Sequence, residues 1–426
     1  EKSNLVFLQG GPGTGKTTLI INLILELLNI DNFLNIGISA PTGKATARLK
    51  ESLNDQKNIS FAKFLDQIEF QTLHRWILNS QNKSLNLKFK LKELDIFIID
   101  EMSMVNIDLI ESVLSLLAKD CKIILVGDKN QLSPVNNISI WNYLFEYCDN
   151  RLIKSCVVNL NKTYRNIGDV ALISSLIFNN CDSLLNQKIK ELEKDNKSKD
   201  VTITKNIEKD IPKNLFNSIT SHLNKLNYST STLSKKKYIF DDGIGNLMLN
   251  EKDLVDKIFL DLQSHLFLCE KNTGIWSVEY LNEVVLGQKK PYDLKNLNEG
   301  VPIMCTKNNN ELGLSNGDIG VLIGLKNDRK YLFRKFNDKN EEIVELIDPS
   351  NLENVVPAIA ITIHKSQGSE SEKVSILWSQ KYRRNQYAVK EQKNSENFFC
   401  RDNFERRLLY TAVTRSKQFL DIYYLN

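Results

Sequence analysis

Nine residues into the chain, the run Gly10-Gly11-Pro12-Gly13-Thr14-Gly15-Lys16-Thr17-Thr18 limits the available folds more than any other stretch. It satisfies the spacing G-x-x-x-x-G-K-T at Gly10, Gly15, Lys16 and Thr17. Ahead of it, Asn4 to Leu8 is a short apolar run of strand formers. Behind it, Leu19 to Leu28 is apolar apart from one Asn and one Glu and reads as a helix. In such a strand, turn and helix, the glycines let successive N–H groups converge on a phosphate, and the helix N-terminus adds partial positive charge. Lys16 is then expected to reach the β- and γ-phosphates and the Thr17 hydroxyl to hold Mg²⁺. Gly10 to Thr18 therefore predicts a nucleoside triphosphate site.

At 426 residues the chain exceeds one ordinary core, so roughly two to four domains are expected. Its 25% charged and 42% hydrophobic residues suit a globular chain in water. No apolar stretch is long enough to cross a bilayer, Asp31 closing the first long one, so no membrane partner is expected. Nor does a basic-then-apolar leader precede the loop. The seven cysteines, at 121, 148, 156, 181, 269, 305 and 400, form no C-x-x-C pair. Neither a zinc site nor a disulfide framework is indicated, and a reducing cytoplasm is the expected location. A net charge of +4 permits a polyanionic partner without arguing for one.

Several further segments offer chemistry. Ile36 to Ala40 reads as a strand leading into Pro41 to Leu49, where Thr42, Gly43 and Lys44 open a helix. Small polar residues and a lysine there suit a phosphodiester backbone, and equally an ordinary helix cap. Gln71 to Trp76 brings Thr72, His74, Arg75 and Trp76 together, groups that hold single strands or simply begin a surface helix with a buried Trp. Leu94 to Glu101 is more specific. Its apolar run Ile96-Phe97-Ile98-Ile99 marks a strand covered on both faces, and Asp100 and Glu101 fall at the end where α/β sheets bind ligands. Asp100 is expected to complete the Mg²⁺ shell and Glu101 to orient and deprotonate the attacking water. Cys121 to Val126 reads as another buried strand, and Gln131 just beyond it is placed to touch a γ-phosphate.

Taken together, G-G-P-G-T-G-K-T, A-P-T-G-K-A, T-L-H-R, I-I-D-E-M-S-M and V-G-D-x-x-Q-L-x-P-V resemble a superfamily 1 DNA helicase. More narrowly they resemble the RecD-type helicases, the alpha subunits of exodeoxyribonuclease V. Asn159 to Arg165 is similar to the motif that opens that family's second motor domain, which implies that Arg165 reaches the γ-phosphate. Ala358 to Glu370 resembles a later motif. It implies that Thr362, His364 and Lys365 lie along DNA while Gly368 and Glu370 couple to nucleotide. Arg406 to Lys417 reads as a helix carrying Arg415 near its end. The resemblance makes Arg415 a cation that stabilises charge on the transferring phosphoryl, whereas the residue alone reads as a helix C-terminal cation.

The resemblance implies two RecA-like P-loop motor domains with parallel sheets, the first over residues 1–150 and the second over 151–299 and 358–426. A polar insertion near 180–237 reads as solvated helix and loop rather than core. Alternating strands with Asn-Gly and Gly turns between 300 and 357 suggest a small antiparallel barrel, similar to the family's SH3-like insert. The implied cofactors are ATP and Mg²⁺. The implied partners are single-stranded and duplex-end DNA and the beta and gamma subunits, in double-strand break repair and recombination with 5′→3′ translocation. The family's adenine-reading glutamine helix and N-terminal docking domain precede this loop, so neither is expected within these 426 residues. The stretch from Gln380 to Arg406 is longer and more polar than the family pattern. A helicase acting alone, a nucleotide-binding subunit that does not unwind and a P-loop metabolic kinase are the competing readings. DNA-facing Thr and His motifs count against the kinase.

Overall fold

The apolar runs around the glycine-rich loop become the interior of a six-stranded parallel sheet. A computed structural model describes residues 4–54, 64, 66–81, 88–133, 140–147, 155–164, 168–195, 198–206, 210–235, 251–309, 311–324, 328–336, 342–379 and 403–425. The chain divides into two units, Glu1–Asn166 and Ile167–Asn426.

The first unit contains β1 (Leu5–Gly10), β2 (Ile36–Ala40), β3 (Ile68–Thr72), β4 (Ile96–Ile99), β5 (Lys122–Gly127) and β6 (Val157–Leu160), in the order β3-β2-β4-β5-β1-β6. All five pairings are parallel. Helix α1 (Lys16–Ile30) buries Ile20, Ile21, Ile24 and Leu28, a helical repeat, against Leu8, Ile36, Ile38 and Ile98 on one face of the sheet. The other face carries Phe7, Phe97, Ile99 and Leu125 with Trp76 and Trp141. Helices α2 (Gly43–Asn54), α3 (Leu73–Gln81), α4 (Ile107–Leu114) and α5 (Ile140–Tyr147) complete the unit. Because β4, β5 and β1 are neighbours, the segments leaving their C-terminal ends emerge side by side. Those segments are Asp100-Glu101, Asp128 to Gln131 and the glycine-rich loop.

This unit runs past the expected boundary at 150. β6 pairs with β1 from Phe7↔Val157 to Gly10↔Leu160, and Tyr164 N donates to Gly13 O at 2.8 Å. The segment expected to open the second domain is thus bonded into the first unit as far as Tyr164.

The second unit begins with α6 (Gly168–Phe178), α7 (Asp182–Asp195), β7 (Val201–Asn206), α8 (Lys213–Ser234), α9 (Lys252–Gln263), β8 (His265–Cys269) and α10 (Val278–Leu286). Five strands follow: β9 (Pro302–Cys305), β10 (Ile319–Ile323), β11 (Lys330–Phe336), β12 (Glu342–Ile347) and β13 (Val355–Pro357). They pair antiparallel in the order β12-β11-β10-β9-β13. The chain then returns through β14 (Ile361–Thr362), β15 (Ser371–Trp378), α11 (Asn403–Val413) and β16 (Ser416–Leu425). These form a parallel sheet ordered β14-β8-β15-β16-β7.

Contrary to the expected solvated helix and loop, described parts of the polar stretch near 180–237 enter the core. β7 pairs with β16 over six registers, and α8 buries Leu215, Ile219, Leu226 and Leu233 completely. Two of its buried polar residues are hydrogen-bonded: Ser229 Oγ donates to Asp261 Oδ2 on α9 at 2.6 Å and Thr230 Oγ1 to Leu226 O at 2.8 Å. α8 also anchors the antiparallel sheet. The Glu299 carboxylate accepts from Ser231 Oγ at 3.0 Å, from Ser234 Oγ and from Gly324 N. Next to it Gly300 has φ 81°, and a Cβ there would lie 2.4 Å from Asn227 N.

Candidate nucleotide-binding site

The glycine-rich loop has the conformation its spacing demands. Gly13 and Gly15 adopt φ 73° and 84°, left-handed values that cost little without a Cβ. Gly10 is required for space, since a Cβ would lie 2.6 Å from Thr14 Oγ1. Thr14 closes the turn by donating from Oγ1 to Gly11 O at 2.8 Å. α1 starts from Gly15 with no side-chain cap. A cap contributes about 1 kcal/mol, whereas the four buried aliphatics of α1 contribute roughly 1.5–3 kcal/mol each, so packing holds the helix. Its first-turn N–H groups remain available to an anion. Lys16 folds back over the loop, its Nζ donating to Gly10 O at 2.8 Å and Gly11 O at 2.9 Å. A polyphosphate fits this cradle of uncapped N–H groups, open space at Gly15 and a half-buried ammonium bonded to neutral carbonyls.

Asp100 lies just past β4, buried, with its N–H donated to Ser39 O at 2.9 Å. Its Oδ1 accepts from Glu101 N at 2.8 Å. Glu101 is left-handed at φ 54°, a conformation costing roughly 1–2 kcal/mol outside glycine. Glu101 leads directly from the strand end into the short helical turn Met102–Met104. Gln131 is 3% exposed, and its Oε1 has no hydrogen-bond partner among the described residues. A buried amide oxygen left unbonded is costly, which suits a group awaiting a ligand or water.

The nucleic-acid candidates of this unit sit at two helix starts. Thr42 Oγ1 accepts from Ala45 N at 3.2 Å, and Thr42 O accepts from Thr46 N and Oγ1. Thr42 therefore caps α2, with Gly43 as its first residue; the side chain of Lys44 lies outside the described residues. Thr72 does the same for α3, accepting from Arg75 N at 3.4 Å, and His74, the second residue of that helix, is exposed. Trp76 is fully buried, edge-on to Phe97.

In the second unit Thr362 ends β14, its Oγ1 accepting from Lys365 N at 3.4 Å. His364 stacks on Phe404 at 6.1 Å, and burial lowers the pKa of both His364 and Lys365. Gly368 turns the chain at φ 73°, and Glu370 lies 3.8 Å from Lys417. Arg415 falls in the turn after α11 rather than on the helix. It is 3% exposed, donating from Nε to Thr411 O at 3.0 Å and from Nη1 to Ser369 O at 3.2 Å. The first bond closes the last turn of α11, the structural duty its position alone suggested. Arg165 lies outside the described residues. Tyr164, within the Asn159–Arg165 motif, has an exposed ring with Lys162 Nζ 5.0 Å from its centroid, and its N–H is the one bonded to the glycine-rich loop.

Among the described residues no helix is long and apolar enough to cross a membrane. Residues 1–137 match a protein family described as an AAA domain. The RecBCD enzyme subunit RecD of Buchnera aphidicola subsp. Acyrthosiphon pisum is 30% identical over 459 residues, covering 99% of this chain and 70% of the relative. The RecD subunit of Buchnera aphidicola subsp. Schizaphis graminum is 29% identical over 452 residues with the same coverage. Among solved structures, a Bacteroides Pif1 bound to single-stranded DNA is similar at a TM-score of 0.47 and 18% identity, covering 99% of this chain and 88% of that one.

Proposed function

Since the chain belongs to the RecD family of RecBCD enzyme subunits, we propose that it is the 5′→3′ motor of an exodeoxyribonuclease V, acting with beta and gamma subunits on single-stranded and duplex-end DNA. ATP-dependent DNA helicase activity is the character of this family, and the glycine-rich loop is its energy input here. Gly10 to Thr18 hold the phosphates of ATP; Thr17 and Asp100 hold Mg²⁺. Held there, Mg²⁺ would supply positive charge to offset that on the transferring phosphoryl. Lys16 exchanges its two loop carbonyls for phosphate oxygens, Glu101 orients and deprotonates the attacking water, and Gln131 meets the γ-phosphate. Arg165, Arg415, Gly368 and Glu370 belong to hydrolysis in the same proposal. Thr42, Gly43, Lys44, Thr72, His74, Thr362, His364 and Lys365 contact the DNA backbone. The two parallel sheets serve as RecA-like motor domains and the antiparallel strands as an SH3-like insert.

The observation that carries this reading is the loop itself: an uncapped helix start, two left-handed glycines and a folded-back lysine, on the strand beside β5, which leads to Gln131, with β4 and Asp100 on the far side of β5. ATP hydrolysis with and without single-stranded DNA, and unwinding of duplexes tailed at either end, test it. Stimulation by DNA, preference for a 5′ tail and loss of both activities in Lys16→Gln are expected. Hydrolysis indifferent to DNA refutes the motor, and preference for a 3′ tail refutes the direction.

A further inference from the structure

Two loops face the nucleotide from neighbouring strands, and one indole stands at the root of both. Gln9 is the residue before Gly10 on β1, and Gly127 is its register partner on β5, the residue before Asp128. Trp141, on α5, is fully buried over this pair. Its Nε1 donates to Gln9 Oε1 at 2.8 Å, a contact between buried side chains 132 residues apart. Its ring lies so close to Gly127 that a Cβ there would be 2.8 Å from Cε2 and 3.0 Å from Cδ2. Phe7 and Phe145 hold the ring from behind, with centroids 5.9 and 5.0 Å away. Packing alone does not require glutamine at position 9. The other side chains of β1 on this face, Leu5 and Phe7, are apolar, and an apolar neighbour would spare the desolvation of an amide.

We propose that Gln9 and Trp141 are positioning residues for ATP hydrolysis, a brace fixing the glycine-rich loop against the Asp128–Gln131 segment. The inference rests on the nucleotide reading of Gly10–Thr18. Downstream of the brace, Gly10 O holds Lys16 Nζ, and Asp128 O and Oδ1 accept from Gln131 N and Asn130 N. A shift between the two strand ends therefore moves Lys16 relative to Gln131. The indole is rigid and its hydrogen bond directional, so it resists that shift better than aliphatic packing does. Binding of ATP is held by the loop alone and does not depend on the brace; attack on the γ-phosphate depends on both loops at once.

The test is steady-state ATP hydrolysis by the full chain in Gln9→Met, Trp141→Phe, the double variant and Lys16→Ala. Each single variant leaves one buried polar group unpaired, and the double variant removes both, which restores stability where the pair was only structural. The expected result is a kcat lower by roughly tenfold in Gln9→Met with KM for ATP nearly unchanged. In the double variant the thermal midpoint should recover while kcat stays low. Recovery of kcat together with stability, or a Gln9→Met kcat within about twofold of wild type beside an inactive Lys16→Ala, overturns the brace and leaves the nucleotide site standing. Full hydrolysis in Lys16→Ala overturns the nucleotide reading and the brace with it. If Gln9→Met does not fold, intrinsic fluorescence on adding a non-hydrolysable ATP analogue replaces it. A change present in wild type and lost in Trp141→Phe is expected, and equal changes in both refute the coupling.

Discussion

Acidification should act on the second unit through two opposed titrations. His222 on α8 and His265 on β8 face each other with ring centroids 5.9 Å apart, both against Phe267. Burial pushes their pKa values down from 6.5 to about 4 and about 3, and the nearby Lys225 and Lys373 push the same way while Asp261 opposes. The His265 ring also bonds Ser375 Oγ, which donates to Asp421. The folded unit keeps both rings neutral while the unfolded chain takes up protons below 6.5, so stability falls as pH falls through that value. By linkage each ring costs ~1 kcal/mol on going from about pH 7 to about pH 5.5. Glu270, at the end of β8, runs the other way. Burial raises it from 4.5 to about 7, against the bonds its Oε2 accepts from Ser379 N and Oγ. The folded unit then holds a proton that the unfolded chain releases, and the same acidification adds ~1–2 kcal/mol. The wild type is therefore expected to lose only ~1 kcal/mol over this window, and the variants separate the two contributions. His222→Gln/His265→Gln should reverse the slope and become more stable toward about pH 5.5. Glu270→Gln should steepen it to a loss of ~2 kcal/mol, a fall in the midpoint of roughly 4–8 °C. Calorimetric unfolding of the full chain at the two pH values reads both. A histidine variant that loses as much stability as wild type, or a flat Glu270→Gln, refutes the reasoning.

Other perturbations test the packing. Gly300→Ala forces a methyl group against the Asn227 backbone at a left-handed φ and should cost about 2 kcal/mol or more, seen as a lower denaturant midpoint. Glu299→Ala removes the acceptor shared by Ser231, Ser234 and Gly324 N, so amide exchange at Gly324 should accelerate; unchanged protection there would show that the carboxylate does not hold the antiparallel sheet. Asp182→Asn weakens the paired bonds from Arg406 Nη1 and Nη2, at 2.7 and 2.8 Å, that join α7 to α11. A loss of about 1 kcal/mol in thermal unfolding is expected.

Local patterns were legible wherever chemistry and spacing coincide. The glycine-rich loop, the buried run before Asp100 and the strand before Gln131 could be read because each residue type is dictated by its own backbone or its own ligand. What could not be read depends on partners far along the chain. β7 looks polar because Thr202 and Thr204 alternate with Val201 and Ile203, and only pairing with β16, more than two hundred residues away, makes it a strand of the core sheet. α8 looks solvated because Ser229, Thr230 and His222 are polar letters, yet their hydrogen bonds or a neutral ring let them enter the core. The first unit extends past residue 150 for the same reason, since β6 is only four residues long and is recognised by its neighbour β1. At Arg415 the bond from Nε to Thr411 O is that of a helix end; it and the bond from Nη1 to Ser369 O bear only on the local reading.

The position of β16 has a consequence for biosynthesis. It follows the other four described strands of its sheet in chain order, yet it is interior, bonded to β15 on one side and β7 on the other. During vectorial synthesis β7 has no sheet to join until about two hundred further residues have emerged, and β15 keeps an open edge until β16 follows it. The first unit and the antiparallel strands can form from contiguous chain well before that. A nascent chain stalled short of Ser416 would therefore carry folded neighbours beside an unclosed parallel sheet, the kind of open edge that invites pairing with another chain.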